Sequence, residues 1–213
     1  MSFEFTSSFL AAFVTLFIVI DPIMVTPIFA SLTRNETPKQ QRKTAFEAAF
    51  IAACILTFFG LIGNVMLHHL GISMAAFRTA GGILLFLMGF RMFFEPDGEL
   101  DAKTPGPKAS ARENVAFFPL AIPLMAGPGA IATIMLLMGP DQSWVSRSAA
   151  LTATYTTLIS GILIMMFASK ITDALGRTGM NVISRLLGML LMALSTQYIF
   201  DGIRVGILER AVH

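Results

Sequence analysis

The sequence predicts an all-α polytopic membrane protein. It reads as six transmembrane helices in two inverted three-helix repeats, with helices 1 and 4 discontinuous. Three observations lead there. The chain is 55% hydrophobic and 13% charged, where a soluble domain carries about 25% charged residues. A proline-interrupted run occurs twice, as Pro22-Ile-Met-Val-Thr-Pro-Ile28 and Pro123-Leu-Met-Ala-Gly-Pro-Gly129. One hydrophilic stretch rich in Pro, Gly and charge divides the chain almost in half.

The apolar segments fall at 8–31, 45–68, 74–94, 115–138, 147–169 and 185–207. Each is about 20 to 24 residues long, enough to cross a hydrocarbon core of about 30 Å. The first and fourth hold the proline pairs, offset by 101 residues. The second and fifth hold Gly60 and Gly161, at the same offset. The third opens Arg78-Thr-Ala-Gly81 and the sixth Arg185-Leu-Leu-Gly188. Gly81, Gly82 and Gly188 suit close packing of these two helices. Residues 1–95 form the first repeat, 96–112 a cytoplasmic linker, and 113–213 the second repeat. An odd number of helices per repeat turns the second copy upside down.

Lys and Arg set the orientation. Arg34, Lys39, Arg42 and Lys43 follow segment one, Lys103, Lys108 and Arg112 follow segment three, and Lys170 and Arg177 follow segment five. The opposite side is poorer in them. The positive-inside rule places those three stretches in the cytoplasm and both termini outside. No positive region precedes the first apolar run, so a cleavable signal peptide is not expected. The lone Cys54 has no intrachain partner.

Paired helix breaks in the two halves of a membrane protein point to a transporter binding site. At the second break, Pro128 suits the first position of a new half-helix. Gly127 and Gly129 let the backbone turn and a ligand approach. The amides freed there, with the helix dipole, suit a carboxylate. The preceding half-helix is expected to end near Ile122, where bare carbonyls could accept from an ammonium group. Pro22 and Pro27 frame the first break, and Thr26 offers a hydroxyl. Asp21, Pro22, Thr26, Pro27, Pro123, Gly127, Pro128 and Gly129 are therefore the candidate binding residues. No large polar side chain surrounds either break, so the ligand is expected to be small and without a charged side chain, as a small neutral amino acid is. A kink without a site is the structural alternative.

Asp21 lies well inside an apolar segment, where an acid is functional by default. Two roles are open to it: carrying a coupling proton, or capping the helix turn after the break. Glu47 has a simpler account, an i−4 pair with Lys43. Arg78 opens a helix whose dipole repels it and is expected to pair with Asp201.

These residues resemble the MarC family of bacterial inner-membrane proteins, which includes small neutral amino acid transporters of the SnatA type. The resemblance covers nearly the whole chain. It is carried by Asp21-Pro-Ile-Met-Val-Thr-Pro-Ile-Phe29, Phe77-Arg-Thr-Ala-Gly-Gly82, Pro119-Leu-Ala-Ile-Pro-Leu-Met-Ala-Gly-Pro-Gly-Ala130 and Thr178-Gly-Met-Asn-Val-Ile-Ser-Arg185. It implies six helices in two inverted triplets. The family pattern has Asn at position 21 and Gly at 24, where this chain has Asp21 and Met24.

The expectation is a secondary transporter of the glycine or alanine class in the bacterial inner membrane, with proton coupling through Asp21 as one option. The alternatives are an uncoupled facilitator or channel, and a structural or regulatory protein that moves nothing. No nucleotide motif, H-E-x-x-H run or nucleophile–base pair is present, so an enzyme, a metal and a cofactor are not expected. The expected partners are the lipid bilayer and the amino acid, not nucleic acid.

Overall fold

The computed structural model describes residues 2–33, 36–94 and 116–211, which are helical apart from short turns. The linker expected at 96–112 lies outside the described residues, as does Arg34. Five stretches are long and apolar enough to cross a membrane: Phe3–Ala30, Pro38–His69, Met74–Phe94, Trp144–Met166 and Thr178–Ile207. The remaining expected segment, the fourth (115–138), is divided into two ten-residue pieces, a π-helix (Ala116–Met125) and helix α5 (Pro128–Leu137). At 1.5 Å per residue, α5 alone reaches about 15 Å, half a hydrocarbon core.

The first span is also divided. α1 (Ser2–Ile20) stops and α2 (Pro22–Leu32) starts across a single residue, Asp21, whose φ of 44° is left-handed. Asp tolerates this region because its short side chain bonds locally. The Asp21 amide closes α1 on Phe17 O (3.0 Å), while its carbonyl opens α2 by accepting from Val25 N (3.2 Å). Pro22 loses nothing at the first helical position.

α3 (Pro38–His69) starts from a reciprocal cap between Thr37 and Gln40. It absorbs the basic run ahead of segment two, and Lys43 Nζ lies 3.6 Å from Glu47 Oε1 as expected. It stops at Gly71 (φ 69°), where Gly71 N donates to His68 O and Ile72 N to Leu67 O. That pair of bonds is the Schellman stop. α4 (Met74–Phe94) follows. α6 (Trp144–Met166) starts from the Ser143 cap on Ser146 N. α7 (Ala168–Ala211) bends at Gly176 (φ 59°), so its apolar span opens at Thr178, earlier than the expected 185.

The helices are lined inward with small residues and outward with large apolar ones. α3 buries Ala45, Ala48, Ala49, Ala52 and Leu56 while exposing Phe46, Phe50, Phe58, Leu61 and Val65. This inside-out pattern suits lipid, where close helix approach and not hydrophobicity drives packing. Cys54, on the outward side of α3, is exposed.

α4 and α7 run antiparallel as a tight pair. A Cβ on Gly89 would sit 2.7 Å from Gly188 O, and one on Gly188 would sit 2.7 Å from Gly89 O. One step away, Gly82 abuts Ser195 O, and at the far end Ser184 Oγ donates to Met92 O. The packing role expected of Gly82 and Gly188 is met. Gly81 instead faces Ala132 and Leu136 of α5.

α1 and α6 run parallel. Ser143 Oγ donates to Glu4 Oε1 at 2.8 Å, the Ser8 and Ser146 hydroxyls are 3.2 Å apart, and Gly161 faces Pro22. Partner numbers are 138 or 139 apart at all three of these contacts, the last of which reaches Pro22, the first residue of α2. α3 packs on the π-helix and α5, taking Met135 and Met138 into notches left by Gly63 and Gly60. The broken elements thus sit between the α3–α6 side and the α4–α7 pair.

Candidate functional site

The two breaks come together inside the molecule. A Cβ on Gly161 would touch Met125 Cε at 3.5 Å and Pro22 Cβ at 3.7 Å, so one α6 residue contacts both. Across the bundle, Gly129 packs on Val19, Leu85 and Met88. The end of α1 and the start of α5 therefore adjoin.

The prolines do not play matched parts. The sequence offset of 101 pairs Pro22 with Pro123 and Pro27 with Pro128. In the structure the half-helices begin at Pro22 and Pro128, with Asp21 and Gly127 as their N-caps, a separation of 106. The same 106 separates the N-caps Thr37 and Ser143, the packing residues Gly82 and Gly188, and the fully buried Leu85 and Leu191. Pro27 lies inside α2 and Pro123 inside the π-helix, so neither frames a break. Nor does the first piece of segment four end at Ile122. It continues to Met125, closing with Ala126 N on Ala121 O at 2.8 Å, five residues back. Pro119 and Pro123 lie within this piece and lack the backbone donors that a regular α-helical turn would use, which accounts for the wider turn.

Asp21 is 4% exposed, and its carboxylate accepts from Met24 N at 3.2 Å. The capping role is the one occupied. The Thr26 hydroxyl uses its proton within α2, donating to Pro22 O at 2.9 Å, and has no exposed surface. Thr133 does the same in α5, donating to Gly129 O at 2.8 Å. Such back-bonds bend the first turn of a helix.

The decisive contrast is between the two N-termini. α2 has a carboxylate on its first-turn amides, supplied by its own chain. α5 has none: Gly127 (φ −74°, ψ 171°) holds the backbone of an N-cap without a side chain to complete it. Its first-turn amides include Gly129 and Ala130, since Ile131 N already donates to Gly127 O. Gly127 and Gly129 are buried, but the intervening Pro128 is exposed, so this end reaches an accessible surface.

Sequence reasoning missed Thr157. It is 0% exposed, one turn before Gly161 on α6, and its Oγ1 has no hydrogen-bond partner among the described residues. The i, i+3, i+7 spacing of Thr154, Thr157 and Gly161 was the available signal.

Arg78 does not pair with Asp201. Its Nη2 lies 3.7 Å from Asp141 Oδ2, while Asp201 Oδ1 accepts from Gln197 Nε2 at 3.1 Å. The turn before α6 causes this: Arg147 donates to Gly139 O and Pro140 O (both 3.1 Å), holding the turn near Arg78. With Asp141 71% exposed, the pair contributes little stability. Among the described residues no group of three His, Cys, Asp or Glu could hold a metal. A surface pocket lined by Phe29, Pro38, Gln41, Arg42, Met165 and Met166 lies at the far end of α2, away from the breaks.

The profile of the MarC family of integral membrane proteins matches residues 6–207. The chain belongs to the MarC family. It is 34% identical to a UPF0056 membrane protein of Aquifex aeolicus over 206 residues, covering 94% of each. It is 36% identical to one from Methanocaldococcus jannaschii, over 92% of this chain and 86% of the relative. It is 32% identical to the UPF0056 membrane protein YhcE of Escherichia coli, over 90% of each. These names record a membrane protein and no substrate. No solved structure matches the chain. This MarC-family chain is thus an integral multi-pass membrane protein.

Proposed function

We propose that the chain is a secondary transporter of small neutral amino acids, of the glycine or alanine class, working by alternating access in the bacterial inner membrane. The observation that carries the reading is the uncapped N-terminus of α5, held mid-segment beside the self-capped N-terminus of α2. A ligand carboxylate completes on α5 what Asp21 completes on α2. The ligand must be small, because Leu85, Met88 and Val19 already crowd Gly129.

Two inverted three-helix repeats support alternating access, since the same change can occur from either side of a central site. The reading rests on the 106-residue spacing and on the antiparallel α4–α7 pair. The contact of Gly89 with Gly188 maps, under that spacing, onto the contact of Gly82 with Ser195. Both termini are outside in this reading, from the basic bias of the other face. A second reading, facilitation without ion coupling, is favoured by the Asp21 carboxylate being engaged as a cap.

Counterflow tests the reading. Proteoliposomes loaded with unlabelled alanine should accumulate labelled glycine or alanine transiently at zero ion gradient, and empty liposomes should not. Absence of counterflow for a panel of small neutral amino acids would leave the structural or regulatory alternative. Stimulation by an imposed proton gradient separates coupled from uncoupled transport.

A further inference from the structure

We infer that the Thr157 hydroxyl is a ligand-binding group, donating to the carboxylate held at the start of α5. The inference rests on the proposed function and assigns a specific residue to it.

Register gives the depth. α6 runs parallel to the first segment with partners 138 or 139 apart, at Glu4 with Ser143 and Ser8 with Ser146 in α1 and at Pro22, the start of α2, with Gly161. Thr157 is therefore level with Ile18 and Val19. Val19 Cγ1 is 3.5 Å from the Cβ position of Gly129, whose amide belongs to the uncapped first turn of α5. Direction follows from helical spacing. Residues four apart share a helix face, and Gly161 on that face meets Met125 and Pro22 at the two breaks. The hydroxyl thus sits at the depth of the free amides, on the side of α6 that faces the breaks.

Chemistry supplies the need. Of the other buried threonines among the described residues, Thr15 bonds the Tyr198 side chain, and Thr26, Thr33, Thr133 and Thr154 each donate to a carbonyl four residues back. Thr157 has the same option and does not use it. A buried hydroxyl left unpaired costs stability, whereas a valine of the same shape costs nothing there. A carboxylate has about four acceptor sites. The amides of Gly129 and Ala130 serve two, which leaves room for a third donor.

The test uses the full chain in lipid nanodiscs, with glycine as the probe, and reads both calorimetric affinity and thermal midpoint. Thr157→Val should weaken glycine binding about ten- to a hundredfold, as expected for one charge-assisted bond. Its ligand-free midpoint should stay the same or rise. Thr157→Ser should bind within about threefold of wild type, because it keeps the donor. Wild-type affinity in Thr157→Val would overturn this inference and leave the proposed function standing. So would a lower ligand-free midpoint in that variant, which would mean that the hydroxyl bonds within the protein. Failure of the wild type itself to bind glycine or alanine would overturn both.

Discussion

Gly127→Asp should cost roughly a hundredfold in glycine affinity, about 3 kcal/mol, with no loss of thermal stability. Asp21 already demonstrates the effect on α2, where a carboxylate one residue before the proline accepts from Met24 N. Gly127 has the extended backbone an N-cap needs. An aspartate there would satisfy the α5 amides from within the chain and repel an incoming carboxylate. Its favourable contact with the helix dipole contributes about 0.3–1 kcal/mol, so the ligand-free protein should be as stable or more so. Gly127→Ala supplies no acceptor and controls for bulk. Calorimetry with glycine checks both variants, and unchanged affinity in Gly127→Asp would remove the α5 N-terminus from the site.

Asp21→Leu should destabilise the protein by about 2–3 kcal/mol, while Asp21→Asn should stay within about 0.5 kcal/mol of wild type. The left-handed backbone costs a branched residue about 1–2 kcal/mol. Losing the bond to Met24 N removes roughly another 1 kcal/mol. Asn keeps both the acceptor and the tolerance for that conformation. Thermal unfolding in detergent measures the difference, and an Asn variant as unstable as the Leu variant would contradict the capping role. Transport by Asp21→Asn resolves coupling. Loss of gradient-driven uptake with exchange intact would assign a proton to Asp21, and retention of both would not.

The helical membrane class was legible because long apolar stretches admit few other structures. The break in segment four was legible because Gly127-Pro128-Gly129 pairs a chain-turning residue with a helix-starting one. The equivalence of the two breaks was misread. Pro22/Pro27 and Pro123/Pro128 have the same spacing, but spacing does not say which proline of a pair begins a helix. A proline within a helix and one at its start look alike in sequence. The residue before separates them only in part: Asp21 and Gly127 can cap and Ile122 cannot, but Thr26 could cap as Thr37 does, and only the structure shows it continuing α2. The Arg78 partner was illegible for another reason. Asp141 lies in a turn whose path depends on Arg147 reaching back to Gly139 and Pro140, a contact between residues of no evident pattern. Thr157 was hidden among the threonines of segment five, since only three-dimensional packing reveals which hydroxyl lacks a carbonyl.

The backbone amides themselves can be observed. With ¹⁵N-labelled protein in nanodiscs, titration with glycine should move the Gly129 and Ala130 amide resonances, the protons shifting downfield as they donate to a carboxylate. The Ile23 and Met24 amides, where Asp21 already stands, should stay in place. Glycinamide, which lacks the carboxylate, should leave all four unchanged. Movement at Ile23 and Met24 instead, or equal responses to glycine and glycinamide, would contradict carboxylate binding at the start of α5.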